Sequence, residues 1–141
     1  KKKISWLANP SESDRLRTES TSILERVDLL KKADVLVSDI SHGESRQLEV
    51  AMALAMRPKI LMLDEPAAGI SPTERGRLVD LLKSLDKDMT LILIEHDMAV
   101  ALAVADDVIV MHDGTMFMQG SPDEVRNSSA VRDLYLGSNH E

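Results

Sequence analysis

Two short apolar runs constrain this chain more than anything else in it. Ile60-Leu61-Met62-Leu63 ends in Asp64-Glu65-Pro66, and Leu91-Ile92-Leu93-Ile94 ends in Glu95-His96-Asp97. Each is strand-length and has no polar alternate position, the pattern of a strand covered on both faces in a parallel sheet. Between them, from about Pro72 to Leu85, the residues Leu78, Val79, Leu81, Leu82 and Leu85 form the inner face of a predicted helix. Strand, helix and strand at this spacing predict a βαβ unit.

The flanks fit around that unit. Ile23, Val27 and Leu30 fall at i, i+4 and i+7 with Leu24 beside them, predicting an amphipathic helix that ends near Lys31-Lys32. Residues 8–22, with Pro10 and several Ser, read as a loop or a ragged approach to that helix. A second helix is predicted from Ser41 to about Met56, where Arg57-Pro58 stops it. Downstream come a helix over about Met98–Ala105, a strand at Val108–Met111, and a tight turn at Asp113-Gly114 into Thr115–Gln119. Ser121-Pro122-Asp123-Glu124 opens a short helix with Ser as its cap, and a last helix carries Val131, Leu134 and Tyr135. The fold class is α/β, with an all-helical N-terminal third.

Composition narrows the functions open to such a fold. The chain has 141 residues and no Cys, which excludes a disulfide scaffold and a Cys-based zinc site. No apolar run approaches the roughly 20 residues needed to span a bilayer, so a soluble cytoplasmic chain is expected, free to dock on a membrane protein. Residues 1–36 hold eight basic and six acidic side chains, and residues 37–141 hold nine basic and eighteen acidic. An acidic bulk with only Trp6, Phe117 and Tyr135 as aromatics argues against nucleic acid as a partner. The Lys1–Lys3 run reads as a solvated terminus.

In an open parallel sheet, ligands bind beyond the carboxyl ends of the strands. Both predicted strands deliver polar groups there: Asp64 and Glu65 from one, His96 from the other. Polar residues commonly follow strands, so either group alone is weak; two at equivalent strand ends carry more weight. They suit phosphoryl transfer from a nucleotide. An Asp after a buried strand can hold Mg²⁺, a neighbouring carboxylate can polarise an attacking water, and a His can orient that water or contact a terminal phosphate. His96 has no His or Cys at ligand spacing, so metal ligation by it is not expected; His112 and His140 read as surface residues. Ser41-His42-Gly43-Glu44 has the spacing of a capping box, which either caps a helix or also offers free N–H groups to an anion.

Together these features resemble the ATP-binding cassette (ABC) family of transporter ATPases. Ile40-Ser41-His42-Gly43-Glu44 is similar to the signature motif, and Gln47-Leu48-Glu49 through Leu54-Ala55 to the helix after it. Ile60–Pro66 resembles the Walker B strand with its catalytic Glu, Ala67–Pro72 the D-loop, and Leu93–Asp97 the H-loop. The Ser-His-Gly-Glu wording, the Ala-Ala-Gly D-loop and the Tyr135-Leu136-Gly137 ending most resemble the branch that takes up branched-chain amino acids, or urea and amides. The resemblance implies a P-loop NTPase-like parallel sheet, with residues 1–57 in a helical subdomain bearing the signature and 58–141 in the C-terminal part of the ATPase core. It implies ATP and Mg²⁺ as cofactors, Asp64 on Mg²⁺, Glu65 as general base, and His96 on the γ-phosphate. Ser41, Gly43 and Glu44 would meet ATP held by the other subunit of a head-to-tail dimer, with Ser71 near the cross-dimer D-loop contact. Implied partners are that second nucleotide-binding subunit and transmembrane permease subunits, with the chain peripheral on the inner face of the cell membrane.

Departures from the family pattern stand out, the largest of them an absence. His42 occupies a position where many family members carry Gly, and the D-loop lacks the usual Asp. The sequence holds no Gly-x-x-x-x-Gly-Lys-Ser/Thr loop and no Gln before Gln47, so neither the phosphate cradle nor the Q-loop is present. The expectation is therefore the C-terminal part of an importer's ATPase, inactive alone. The alternatives are a non-hydrolysing module that donates its signature helix in trans, or a non-transport ABC ATPase of the DNA-repair or translation type.

Overall fold

The computed structural model describes residues 10–137; the Lys1–Lys3 run, Trp6 and His140 lie outside them. The elements are α1 (Pro10–Arg26), α2 (His42–Ala55), β1 (Ile60–Asp64), α3 (Pro72–Lys83), β2 (Thr90–Ile94), α4 (Met98–Val104), β3 (Val108–His112), β4 (Thr115–Gly120), α5 (Pro122–Asn127) and α6 (Ser129–Gly137). β1 and β2 pair in parallel, Ile60 opposite Thr90 through Asp64 opposite Ile94, with α3 as the crossover. β3 and β4 form a separate antiparallel pair. Asp113 (φ 48°) and Gly114 (φ 74°) join them in a two-residue turn, whose two left-handed residues match the twist of the strands.

The N-terminal helix differs from expectation. It runs over Pro10–Arg26, taking in most of the segment read as a loop, and it ends earlier than Lys31-Lys32. Arg15 pairs with Glu19 at 3.3 Å, one helical turn on. The Thr18 and Thr21 hydroxyls donate to the Asp14 and Arg17 carbonyls at 2.9 and 2.8 Å. The Thr hydroxyls thus bond within the helix instead of breaking it. Asp28, at φ 55°, turns the chain out of the helix, and Leu30–Lys32 makes only a 3₁₀ turn. Val27 and Leu29 on either side of Asp28 are still buried.

The principal core joins Val50, Ala51 and Leu54 of α2, Leu61 of β1, Leu78, Leu81 and Leu82 of α3, and Val100 of α4. A second core of Val108, Val110, Val125 and Val131 anchors the hairpin to α5 and α6. The expected cover on both faces of the β1–β2 sheet is not found among the described residues. Leu61, Leu63, Leu91 and Leu93 turn toward the helices, while Ile60, Met62, Ile92 and Ile94 stay 42–66% exposed. Apolar side chains on both faces of a strand specify a surface that excludes water, and the elements described here cover one of the two. An apolar face of this kind favours association. Replacing Met62 and Ile92 together by Gln is expected to lower the scattering mass of concentrated protein while leaving the unfolding temperature within a few degrees. An unchanged mass would refute it.

Candidate functional site

The even register of β1 and β2 brings their carboxyl ends level, and the chain leaves β1 through a constrained turn. The Glu65 N–H donates to the Ile94 carbonyl at 2.8 Å, and the Ala68 N–H donates back to the Glu65 carbonyl at 3.0 Å. Glu65 itself sits at φ 45°, a left-handed conformation that a side-chain-bearing residue adopts only when its surroundings hold it there. This turn aims the carboxylate at the next strand end. Glu65 Oε1 lies 3.3 Å from His96 Nδ1, with both side chains at least half exposed. Asp64 is exposed at the end of β1, and no described residue bonds to or pairs with its carboxylate.

That free hard-oxygen donor suits a divalent cation. Among the described residues no three His, Cys, Asp or Glu side chains gather as a metal cage. A cation here would be held by one carboxylate together with water and phosphate oxygens, the usual manner of Mg²⁺ at phosphate sites.

The residues flanking His96 are both anchored. Glu95 Oε1 accepts the Ala67 N–H at 2.8 Å, tying β2 to the loop after Glu65. Asp97 caps α4 by accepting the Ala99 and Val100 N–H groups, and its other oxygen meets Arg75 of α3 at 2.7 Å. His96 is thus presented to solvent from between two fixed carboxylates.

A second grouping forms at the start of α2. The capping box is complete: the Glu44 N–H donates to Ser41 Oγ at 3.1 Å, and the Ser41 N–H to Glu44 Oε2 at 2.9 Å. Glu44 also pairs with Lys32 at 3.2 Å. The same capping arrangement recurs on α3 between Ser71 and Glu74. Glu74 Oε2 accepts the Ser71 hydroxyl and N–H at 2.7 and 3.0 Å, and its Oε1 accepts the Ser41 hydroxyl at 2.9 Å. One carboxylate therefore joins the starts of two helices. Gly43 is buried against it, and a Cβ at that position would overlap the Glu74 side chain. His42 reaches toward the loop after β1: a Cβ on Gly69 would meet its Nε2 at 3.4 Å. The structure thus brings Glu65 to His96, and Ser41, Gly43 and Ser71 around Glu74.

Hydrogen bonds from the Ser71 hydroxyl first, then its N–H and the Ser41 hydroxyl, hold the Glu74 carboxyl down from 4.5 to about 2. Glu44 is lowered by the Ser41 N–H and then Lys32, and Glu124 by the Ser121 hydroxyl and then its N–H. A depressed carboxyl stabilises the fold above its unfolded value and loses that contribution as pH falls through the folded one. For Glu74 the window is from 4.5 down to about 2. In urea unfolding across that range, Glu74→Gln is expected to flatten the pH dependence relative to the wild type. Parallel curves would refute it.

Residues 3–68 match the ABC transporter family. LivG of Salmonella typhimurium, a high-affinity branched-chain amino acid transport ATP-binding protein, is 41% identical over 116 residues, or 81% of this chain and 46% of LivG. Over most of its length the chain is thus similar to ABC transporter ATP-binding proteins. BraF of Pseudomonas aeruginosa, with the same description, is 38% identical over the same shares of both chains. The chain spans about half the length of the curated relatives it matches. Its fold agrees. An ATP-binding cassette of an ABC transporter in its ADP conformation superposes with a TM-score of 0.76 at 25% identity, over 94% of this chain and 53% of that one. The cbiO1 protein of Clostridium perfringens, part of the ABC transporter complex cbiONQ, gives 0.75 at 30% identity, over 93% and 53%. The expected P-loop NTPase-like fold is the one these cassettes share.

Reading the ABC motifs from sequence missed Glu74, Arg75 and Glu95. Ser71-x-x-Glu74 carries a capping signal that could have been read. The reach of Glu74 to Ser41, thirty-three residues away, and of Glu95 to Ala67, twenty-eight away, has no local signal.

Proposed function

We propose that this chain is the C-terminal part of an ATP-hydrolysing subunit of an ABC importer, whose solute is a branched-chain amino acid or a related molecule. The observation that carries the reading is the 3.3 Å approach of Glu65 and His96 at adjacent parallel strand ends. The likeness to LivG and BraF supports the solute class.

In this reading Glu65 Oε1 takes a proton from the attacking water, and His96 holds that water and the phosphate edge in line. Both groups are exposed, so a water can lie beside the pair within reach of each. Asp64 would hold Mg²⁺, which supplies charge neutralisation on phosphate oxygens. The Gly43 N–H and the Ser41 hydroxyl at the start of α2 would meet the phosphate of a nucleotide bound mainly by a second subunit, where the helix N-terminus favours an anion. That phosphate would first displace the Glu74 carboxylate, which now takes the Ser41 hydroxyl at 2.9 Å. Glu44 and Ser71 support that end by fixing the starts of α2 and α3. The partners are the second nucleotide-binding subunit and transmembrane permease subunits at the inner face of the membrane. Among the described residues no helix is long and apolar enough to cross a membrane, so attachment would run through those subunits.

The test is complementation. The chain would be combined with a cassette half that carries a Gly-x-x-x-x-Gly-Lys-Ser/Thr loop, the two would be co-purified, and Mg²⁺-dependent ATP turnover measured. Turnover in the pair and not in the chain alone is the expected result. A pair that co-purifies and shows no turnover would sink the reading.

A further inference from the structure

We propose that Glu95 is a positioning residue, whose bond to the Ala67 N–H holds the turn that presents Glu65 to His96. The proposal rests on the ATPase reading for its consequence and on geometry for its substance. Glu65 is at φ 45° and would relax toward ordinary backbone if the turn were free. Its own N–H and carbonyl are held at 2.8 and 3.0 Å by Ile94 and Ala68. Those bonds close the turn on itself and on β2, but they leave Ala67, at its far side, without a backbone acceptor. Glu95 supplies one, across twenty-eight residues, at 2.8 Å.

The placement is specific to this purpose. Glu95 immediately precedes His96, so the strand end that carries the imidazole also carries the acceptor that fixes the loop behind the carboxylate. Ala67 is buried, so its N–H has no water to donate to in place of Glu95. The second Glu95 oxygen, Oε2, is also buried and has no partner among the described residues. A buried carboxylate oxygen without a donor is a liability to stability. A contact that served stability alone would carry no such liability. Charge on the acceptor shortens and strengthens the one bond that is made.

The measurements are amide exchange at Ala67 and the nuclear Overhauser contact between the Glu65 and His96 side chains, in the full chain. Glu95→Ala is expected to speed Ala67 exchange by about tenfold to a hundredfold and to abolish the Glu65–His96 contact. Glu95→Gln keeps an oxygen acceptor and is expected to restore both. Glu95→Asp, one methylene shorter, is expected to lose the contact with the fold retained, which covers the case of an Ala variant that fails to fold. Unchanged exchange in the variants lacking the acceptor overturns the proposal. So does faster exchange with the Glu65–His96 contact intact, since the bond would then be structural only. Neither readout needs a nucleotide. Absence of turnover in the complemented pair would defeat the ATPase reading and leave these results standing. Where turnover is present, Glu95→Ala is expected to lower kcat with KM unchanged, and Glu95→Gln to recover most of it.

Discussion

Glu65→Gln in the complemented pair is expected to lower ATP turnover by about 10²–10⁴-fold, the usual scale for removing a general base. The substitution keeps shape and removes the ability to take a proton. Its effect on stability is expected to stay within about 0.5 kcal/mol, as for other exposed positions, because the side chain is half exposed. His96→Ala is expected to cost turnover as well. The double variant should lose little more than the worse single one, since groups that act on the same water are not additive. Turnover assays paired with an equilibrium measurement of Mg·ATP binding separate the outcomes: lost turnover with binding retained is the expected pattern. Full turnover in Glu65→Gln would remove this residue from the chemistry, whatever its distance from His96.

Leu78→Ala is the second large effect, and it acts on the fold. Leu78 is 1% exposed, in the core with Leu61 of β1, Val50 of α2 and Val100 of α4. Truncation leaves a cavity that close-packed neighbours fill only in part, a loss of about 2–5 kcal/mol. A domain of this size has about 5–15 kcal/mol in total, so the variant should sit near the edge of folding. The half-buried neighbour Val79, truncated to Ala, should cost distinctly less. Urea unfolding reads both. A Leu78→Ala loss under about 1 kcal/mol would mean that the core collapses around the gap more readily than packing of this kind allows.

The site was legible in sequence where its residues follow strand ends or open helices. Glu65 and His96 could be paired from sequence because β1 and β2 announce themselves as adjacent strands, and parallel neighbours end on the same edge. Ser41 and Glu44 could be read because a capping box is only four residues long. The Ser41 partner of Glu74 and the Ala67 partner of Glu95 could not be assigned by any local rule, since a carboxylate after a strand or in a first turn has many acceptable donors. Which donor it meets depends on how α2, α3 and the β1 turn pack, and that packing is set by Leu78, Val50 and their neighbours in the core.

The same division holds for the fold. The residues alone determined the βαβ unit, the hairpin at Asp113-Gly114 and the start of each capped helix, because periodicity, turn chemistry and capping act over a few residues. They misplaced α1, where hydroxyl and ion-pair bonds inside the helix outweighed a loop-like composition. The two apolar runs announced a sheet with two apolar faces; only the tertiary structure showed which was covered. Leu61, Leu63, Leu91 and Leu93 meet the helices, and Ile60, Met62, Ile92 and Ile94 do not. An unbroken apolar run says that both faces of a strand avoid water, but burial is a property of whatever packs against them.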